Sequence, residues 1–149
     1  MSFDLAGREF DLKTIAAQLA CERLLVLYYD TVDAGSAAST AELFVEDGEL
    51  SVGEMKIAGR AQLRKFLGGL DAIPGRKVKH VTTNFRFELV SDDEAKAHSS
   101  LTRYGIVLPD GKGGLVPSTL NNCLTEFRRD ENKRWRLVSH RVTVVGGNA

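Results

Sequence analysis

Lys77-Val78-Lys79-His80-Val81-Thr82-Thr83-Asn84-Phe85-Arg86-Phe87-Glu88-Leu89-Val90 is the stretch whose reading decides the fold. Its character alternates with a period of two, the pattern of a half-buried strand and not of a helix. Read as one uninterrupted strand, it sets Val81, Phe85, Phe87 and Leu89 on one face and His80, Thr82, Asn84, Arg86 and Glu88 on the other. Ser91-Asp92-Asp93 supplies a hairpin turn, and residues 95–108 return as a second long strand. Pro109-Asp110-Gly111 with Gly113-Gly114 is expected to form a mobile loop. Residues 118–129 and 134–145 then make another long hairpin around Asp130-Glu131-Asn132-Lys133. The C-terminal half therefore reads as a meander of four long antiparallel strands.

Upstream the period changes. Within residues 11–34, Leu12, Ile15, Leu19, Val26 and Tyr29 recur at helical spacing, and Leu24, Leu27 and Tyr28 widen the stripe. Ala34-Gly35-Ser36 reads as the stop of this helix, and Ser39 or Thr40 as the cap of a short second helix carrying Leu43 and Phe44. Glu46-Asp47-Gly48 reads as a turn before two short extended pieces, 49–52 and 56–58, separated by Gly53. Gly59-Arg60 opens a third helix with Leu63, Phe66 and Leu67 on one face and Gly68-Gly69 as its end, and Pro74-Gly75 closes the segment. Three helices followed by a strongly twisted antiparallel sheet predict an α+β arrangement: a curved, cone-shaped sheet wrapped around the N-terminal helices, open at one end.

Composition narrows the function classes. A chain of 149 residues with 43% hydrophobic and 27% charged residues fits one domain over residues 1–149, with 1–10 as a loosely ordered N-terminal segment. Lys plus Arg and Asp plus Glu are 20 each, so the chain lacks the positive field of a nucleic-acid or anionic-membrane surface, and a small, fairly neutral ligand is expected. The start carries Asp4, Arg8 and Glu9 where a signal peptide needs an apolar run, so a cytoplasmic location is expected. Cys21 and Cys123 stand far apart, without metal-ligand spacing, and read as buried reduced thiols. With three histidines and no His and carboxylate cluster, neither a metal nor another cofactor is expected.

The chemistry-bearing residues are Tyr28-Tyr29-Asp30 with Asp33 near the end of the first helix, and His80 near the start of the first long strand. An imidazole accepts and returns protons near neutral pH, and a carboxylate on one of its nitrogens fixes its tautomer. Asp33 or Asp30 can play that part for His80. Tyr28 and Tyr29 lie about 100° apart on a helix, so one or both can border a pocket and donate a hydrogen bond to a substrate carbonyl.

These pieces, together with Leu43-Phe44-Val45-Glu46-Asp47-Gly48, Gly59-Arg60, His80-Val81-Thr82-Thr83-Asn84 and Trp135-Arg136-Leu137, resemble the nuclear transport factor 2-like superfamily. More narrowly they resemble its SnoaL-like branch, which includes scytalone dehydratase, bile-acid dehydratase, polyketide cyclases and ketosteroid isomerase. The resemblance runs from residue 11 to residue 145. Tyr29-Asp30 with His80 is similar to the scytalone dehydratase pattern, and the spacing from Tyr28 to Asp33 with His80 to that of bile-acid dehydratase. Those dehydratases carry a second His or Asp on the strand returning after the His strand, where this chain reads Leu101-Thr102-Arg103-Tyr104. Ser51-Val52-Gly53 stands where ketosteroid isomerase has its acidic base, which disfavours isomerase chemistry of that type.

The resemblance implies a cofactor-independent dehydratase acting on a small cyclic or polyketide-like hydroxy-carbonyl compound, with His80, Asp33, Asp30, Tyr29 and Tyr28 as catalytic candidates. Asn84, His98, Tyr104 and Asn122 are the candidates for substrate contacts, with Asn121 beside them; of its two possible faces, His98 suits the outer one better. A non-catalytic ligand-binding or subunit-association module of the same fold, including the small subunit of an oxygenase, is the alternative. Self-association as a homodimer, or as a trimer, is expected from a sheet face carrying Phe85, Phe87, Phe127 and several arginines.

Overall fold

The computed structural model describes residues 11–106 and 115–147; the N-terminal segment, the glycine-rich loop and residues 107–108 of the expected strand lie outside the described residues. Helix α1 (Leu12–Asp33) starts because the Asp11 carboxylate accepts hydrogen bonds from the Lys13 and Thr14 backbone N–H groups. It buries Ala17, Cys21, Leu25, Tyr28, Tyr29 and Val32. That is not the stripe expected from the sequence: Leu12, Leu19, Val26 and Leu27 are 46–83% exposed. The helix is apolar around most of its circumference, so periodicity alone does not choose a face. The small residues Ala17 and Cys21 mark the side that packs closely.

After α1, Ser36 precedes α2 (Ala37–Thr40), which passes through a 3₁₀ turn (Ala41–Leu43) straight into strand β1 (Phe44–Val52). The expected turn at Glu46-Asp47-Gly48 is instead part of β1, as an irregularity in its pairing. A side chain on Gly48 would begin 2.8 Å from Phe44, so glycine lets the strand pass over that buried ring. Strand β2 (Met55–Ala58) pairs with β1, and α3 (Arg60–Asp71) runs through Gly68-Gly69 instead of ending there. The three helices are laced together. Asp71, at the end of α3, accepts from the backbone N–H groups of Ala37 and Ala38, and the Thr40 hydroxyl meets that of Thr31 on α1 at 2.7 Å.

Strands β3 (Val78–Leu89), β4 (Glu94–Ile106), β5 (Leu115–Arg129) and β6 (Trp135–Gly147) form the expected antiparallel meander. The whole sheet is ordered β2-β1-β6-β5-β4-β3, and β1 runs parallel to β6. One mixed pair therefore interrupts an otherwise antiparallel sheet. The architecture is α+β as expected, with an open sheet against the helices.

The alternation of β3 is broken where the sequence reads as continuous. Thr83 pairs with Ser100 and Arg86 with His98, so β3 takes one more residue than β4 there, and Asn84 adopts φ 55°. This β-bulge inverts the phase of the strand. Before it Val78, His80 and Thr82 turn inward; beyond it Phe85, Phe87 and Leu89 do, while Val81 is left 39% exposed. The rings expected on an uncovered sheet face are thus on the helix side: Phe127 is fully buried and Phe85 and Phe87 pack against the core.

Candidate functional site

Asp33 is the last residue of α1, an unfavourable place for a carboxylate because of the helix dipole. Local donors offset this. Its two oxygens accept the His80 backbone N–H at 2.8 Å and the His80 Nδ1–H at 2.6 Å, and Arg76 Nη1 donates to the nearby Val32 carbonyl at 3.1 Å. Because a carboxylate only accepts, Nδ1 carries the proton, and Nε2 is the ring nitrogen offered to a ligand. Burial holds His80 below its ordinary value of 6.5; Asp33 pulls it upward, and Arg103 and Arg76 push it further down. The imidazole is neutral at pH 7 and able to accept a proton.

A second imidazole lies behind the first. Tyr29, one helical turn before Asp33, has its ring 4.8 Å from that of His80 and its hydroxyl 2.6 Å from Nε2 of His140 on β6. The other nitrogen of His140 meets the Thr125 hydroxyl at 2.8 Å. Burial and then His80 lower His140 to about 4, and burial pushes the Tyr28 and Tyr29 phenols well above their ordinary 10.0. A neutral His140 donates from one nitrogen and accepts at the other. When Thr125 donates to Nδ1 and Nε2–H donates to the Tyr29 oxygen, the Tyr29 proton is free to turn toward a ligand.

Tyr28, Tyr29 and His80 share the wall of a cavity of about 730 Å³. Its floor is buried (Val32, Leu50, Leu67, Leu101, Asn121, Val142), and its mouth is marked by the exposed Ile73, Gly75, Lys77, Arg103 and Pro117. Two phenols and a neutral imidazole, the latter backed by Asp33, thus border a largely apolar cavity, and these are groups chemically able to exchange protons. Among the described residues no group of three His, Cys, Asp or Glu side chains gathers as metal ligands, and no helix is long and apolar enough to cross a membrane.

Residues 13–141 match the SnoaL-like domain. The chain belongs to the SnoaL-like domain family. No curated protein matches its sequence significantly. Among solved structures, the SnoaL-like chain is similar to a candidate scytalone dehydratase from Novosphingobium aromaticivorans (21% identity, 90% and 87% of the two chains, TM-score 0.77). It is also similar to a nuclear transport factor 2-like protein with a cystatin-like fold from the same organism (24%, 95% of each chain, TM-score 0.74). ActVI-ORFA from Streptomyces coelicolor is a third (18%, 87% and 98%, TM-score 0.74). At these identities the likeness shows a shared fold.

Of the remaining sequence candidates of this SnoaL-like domain, Asn121 lines the cavity and the others lie off it. Asp30 is exposed on the outer side of α1, beside Leu19, Val26 and Leu27, so Asp33 and not Asp30 meets His80. Asn84 is the exposed bulge residue. On β4 the odd positions Leu101, Arg103 and Gly105 face inward, which leaves His98 and Tyr104 on the other face. On β5 Asn122 is exposed, whereas its neighbour Asn121 is buried on the cavity wall, donating to the Leu101 carbonyl at 3.0 Å. Sequence reasoning missed His140 and Arg103. A histidine two residues before the buried Val142 was the available signal for the former.

Proposed function

We propose that this SnoaL-like domain is a cofactor-independent, dehydratase-like lyase that eliminates water from a small cyclic or polyketide-like hydroxy-carbonyl compound. The observation that carries the reading is the doubly held Asp33–His80 pair, which presents a neutral imidazole to the cavity beside two protonated phenols. In this reaction His80 Nε2 takes the proton next to the substrate carbonyl, and the resulting imidazolium faces Asp33. The Tyr29 hydroxyl, oriented by His140 and Thr125, or Tyr28 beside it, donates to the carbonyl oxygen as negative charge grows there. Collapse of the enolate expels the hydroxyl group, which takes the proton back from His80 and leaves as water. Enzyme and proton count are restored, and an enone is formed.

The test is enone formation, followed by ultraviolet absorbance, from a panel of cyclic β-hydroxy ketones. Wild type is expected to convert members of the panel and His80→Ala to convert none at a comparable rate. Equal conversion by His80→Ala would end the mechanism, and a wild type that binds but converts nothing would favour the non-catalytic binding module. Self-association is also part of the proposal. Its support is the apolar surface of Leu19, Val26 and Leu27 on α1 and Leu120, Val144 and Val145 on the sheet, and a monomer by light scattering would remove it.

A further inference from the structure

The described wall of the cavity carries three cations, Arg76, Lys77 and Arg103, and no aspartate or glutamate. Among the described residues no carboxylate lies within ion-pair distance of any of the three. Arg103 pairs directly across the sheet from His80, so the two side chains share the inward face. Its guanidinium is positioned by its surroundings. Nη1 donates to the Ser118 hydroxyl at 2.9 Å, and that hydroxyl donates to the Arg103 carbonyl at 3.0 Å. A side chain on Gly105 would begin 3.3 Å from the same Nη1, so the glycine leaves the space into which the guanidinium leans.

Three cations on one cavity wall without a lining carboxylate give the cavity a positive field, which favours an anion. A planar guanidinium with one nitrogen already engaged still offers a donor edge that suits a carboxylate. We infer that the substrate is amphipathic and acidic: its ring system lies against Val32, Leu50, Leu67 and Val142, and its carboxylate docks at Arg103, on the side of the cavity that holds His80. The inference deepens the reading of this cavity as a substrate site and rests on it. It departs from the neutral ligand suggested by the balanced charge of the chain, because the balance of a whole chain does not describe the field inside one cavity.

Calorimetric titration with naphthoate and with its uncharged counterpart naphthylmethanol tests the inference without requiring turnover. Wild type is expected to bind naphthoate about tenfold more tightly, as one charge-assisted contact allows. Added salt should erode the preference. In Arg103→Gln, a change at an exposed side chain, the preference should fall to about twofold or less, and Arg103→Lys should keep part of it. Equal binding of the two probes by wild type, or an undiminished preference in Arg103→Gln, overturns the inference. A preference for naphthoate without dehydration of any hydroxy ketone would instead overturn the dehydratase reading and leave acid recognition standing.

Discussion

Asp33 holds His80 by two atoms at once, the ring Nδ1 at 2.6 Å and the backbone nitrogen at 2.8 Å. The second bond fixes the carboxylate on β3 before the ring turns, so the imidazole has one orientation and one tautomer. Asp33→Asn retains the shape but offers an N–H where an acceptor is needed. His80 then takes the other tautomer, with its proton on Nε2 facing the cavity, and ceases to be a base. Turnover of a hydroxy-ketone substrate is expected to fall by roughly 10²–10⁴-fold with the fold unchanged. Nitrogen chemical shifts of the His80 ring, which separate the tautomers, check the cause directly.

His140 makes stability depend on pH. Burial sets it at about 4 in the folded chain against its ordinary 6.5, so below pH 6.5 the unfolded chain binds a proton that the folded chain does not. The stabilisation is complete above about pH 6.5 and lost as the pH falls toward 4, by on the order of 3 kcal/mol. His80, also held low, contributes in the same direction. Denaturant titrations across this interval should show the slope in wild type and a shallower one in His140→Asn.

The same histidine makes Tyr29→Phe costly in a particular way. The ring volume remains, but His140 Nε2 loses its partner in a fully buried setting. A loss of roughly 1–3 kcal/mol is expected. The double variant Tyr29→Phe with His140→Leu should recover part of that loss, measured as a thermodynamic cycle.

Asn84 tolerates the left-handed conformation that the bulge in β3 requires, and a β-branched residue does not. Asn84→Val is expected to cost about 1–2 kcal/mol, whereas Asn84→Gly should stay within about 0.5 kcal/mol of wild type. Chemical denaturation distinguishes them. A register slip in Asn84→Val would also free His80 from Asp33, visible in the same ring nitrogen shifts.

The cysteines are predicted to be inert. Burial raises Cys21 to about 12 and Cys123 to about 11, and both are free thiols inside the core. Iodoacetamide at pH 8 should leave both unmodified in the native protein and alkylate both after denaturation. Rapid labelling of either in the native state would contradict their burial in the core.

The element order was legible because helices and strands declare themselves through different periods, and the pairing of His80 with an α1 carboxylate followed from chemistry placed near the ends of two elements. What was not legible depended on phase. A strand read as strictly alternating puts His80 on the face opposite Phe85; only the extra residue at Asn84 brings both inside. Likewise β6 takes Leu137 and His140 inward across a register shift, so counting by twos from Leu137 passes over the second imidazole and only counting back from Val142 reaches it. On α1 an almost continuous apolar surface left the buried side undetermined. Of the adjacent candidates Asn121 and Asn122 only the first faces the cavity, since one residue along a strand turns a side chain to the other side of the sheet, and the sequence did not say which.

The lacing of the helices has a bearing on traffic into the cavity. Asp71 ties the end of α3 to the start of α2, and Thr40 ties α2 to Thr31 of α1, while α3 itself supplies Phe66, Leu67 and Leu70 to the cavity wall. Swinging α3 outward as a flap would break both Asp71 links to α2, which Thr40 in turn holds to α1. The mouth marked by Ile73, Lys77, Arg103 and Pro117 thus stands beside a helix tethered at its end. How long a guest stays is then expected to follow what it grips inside more than any swing of that helix.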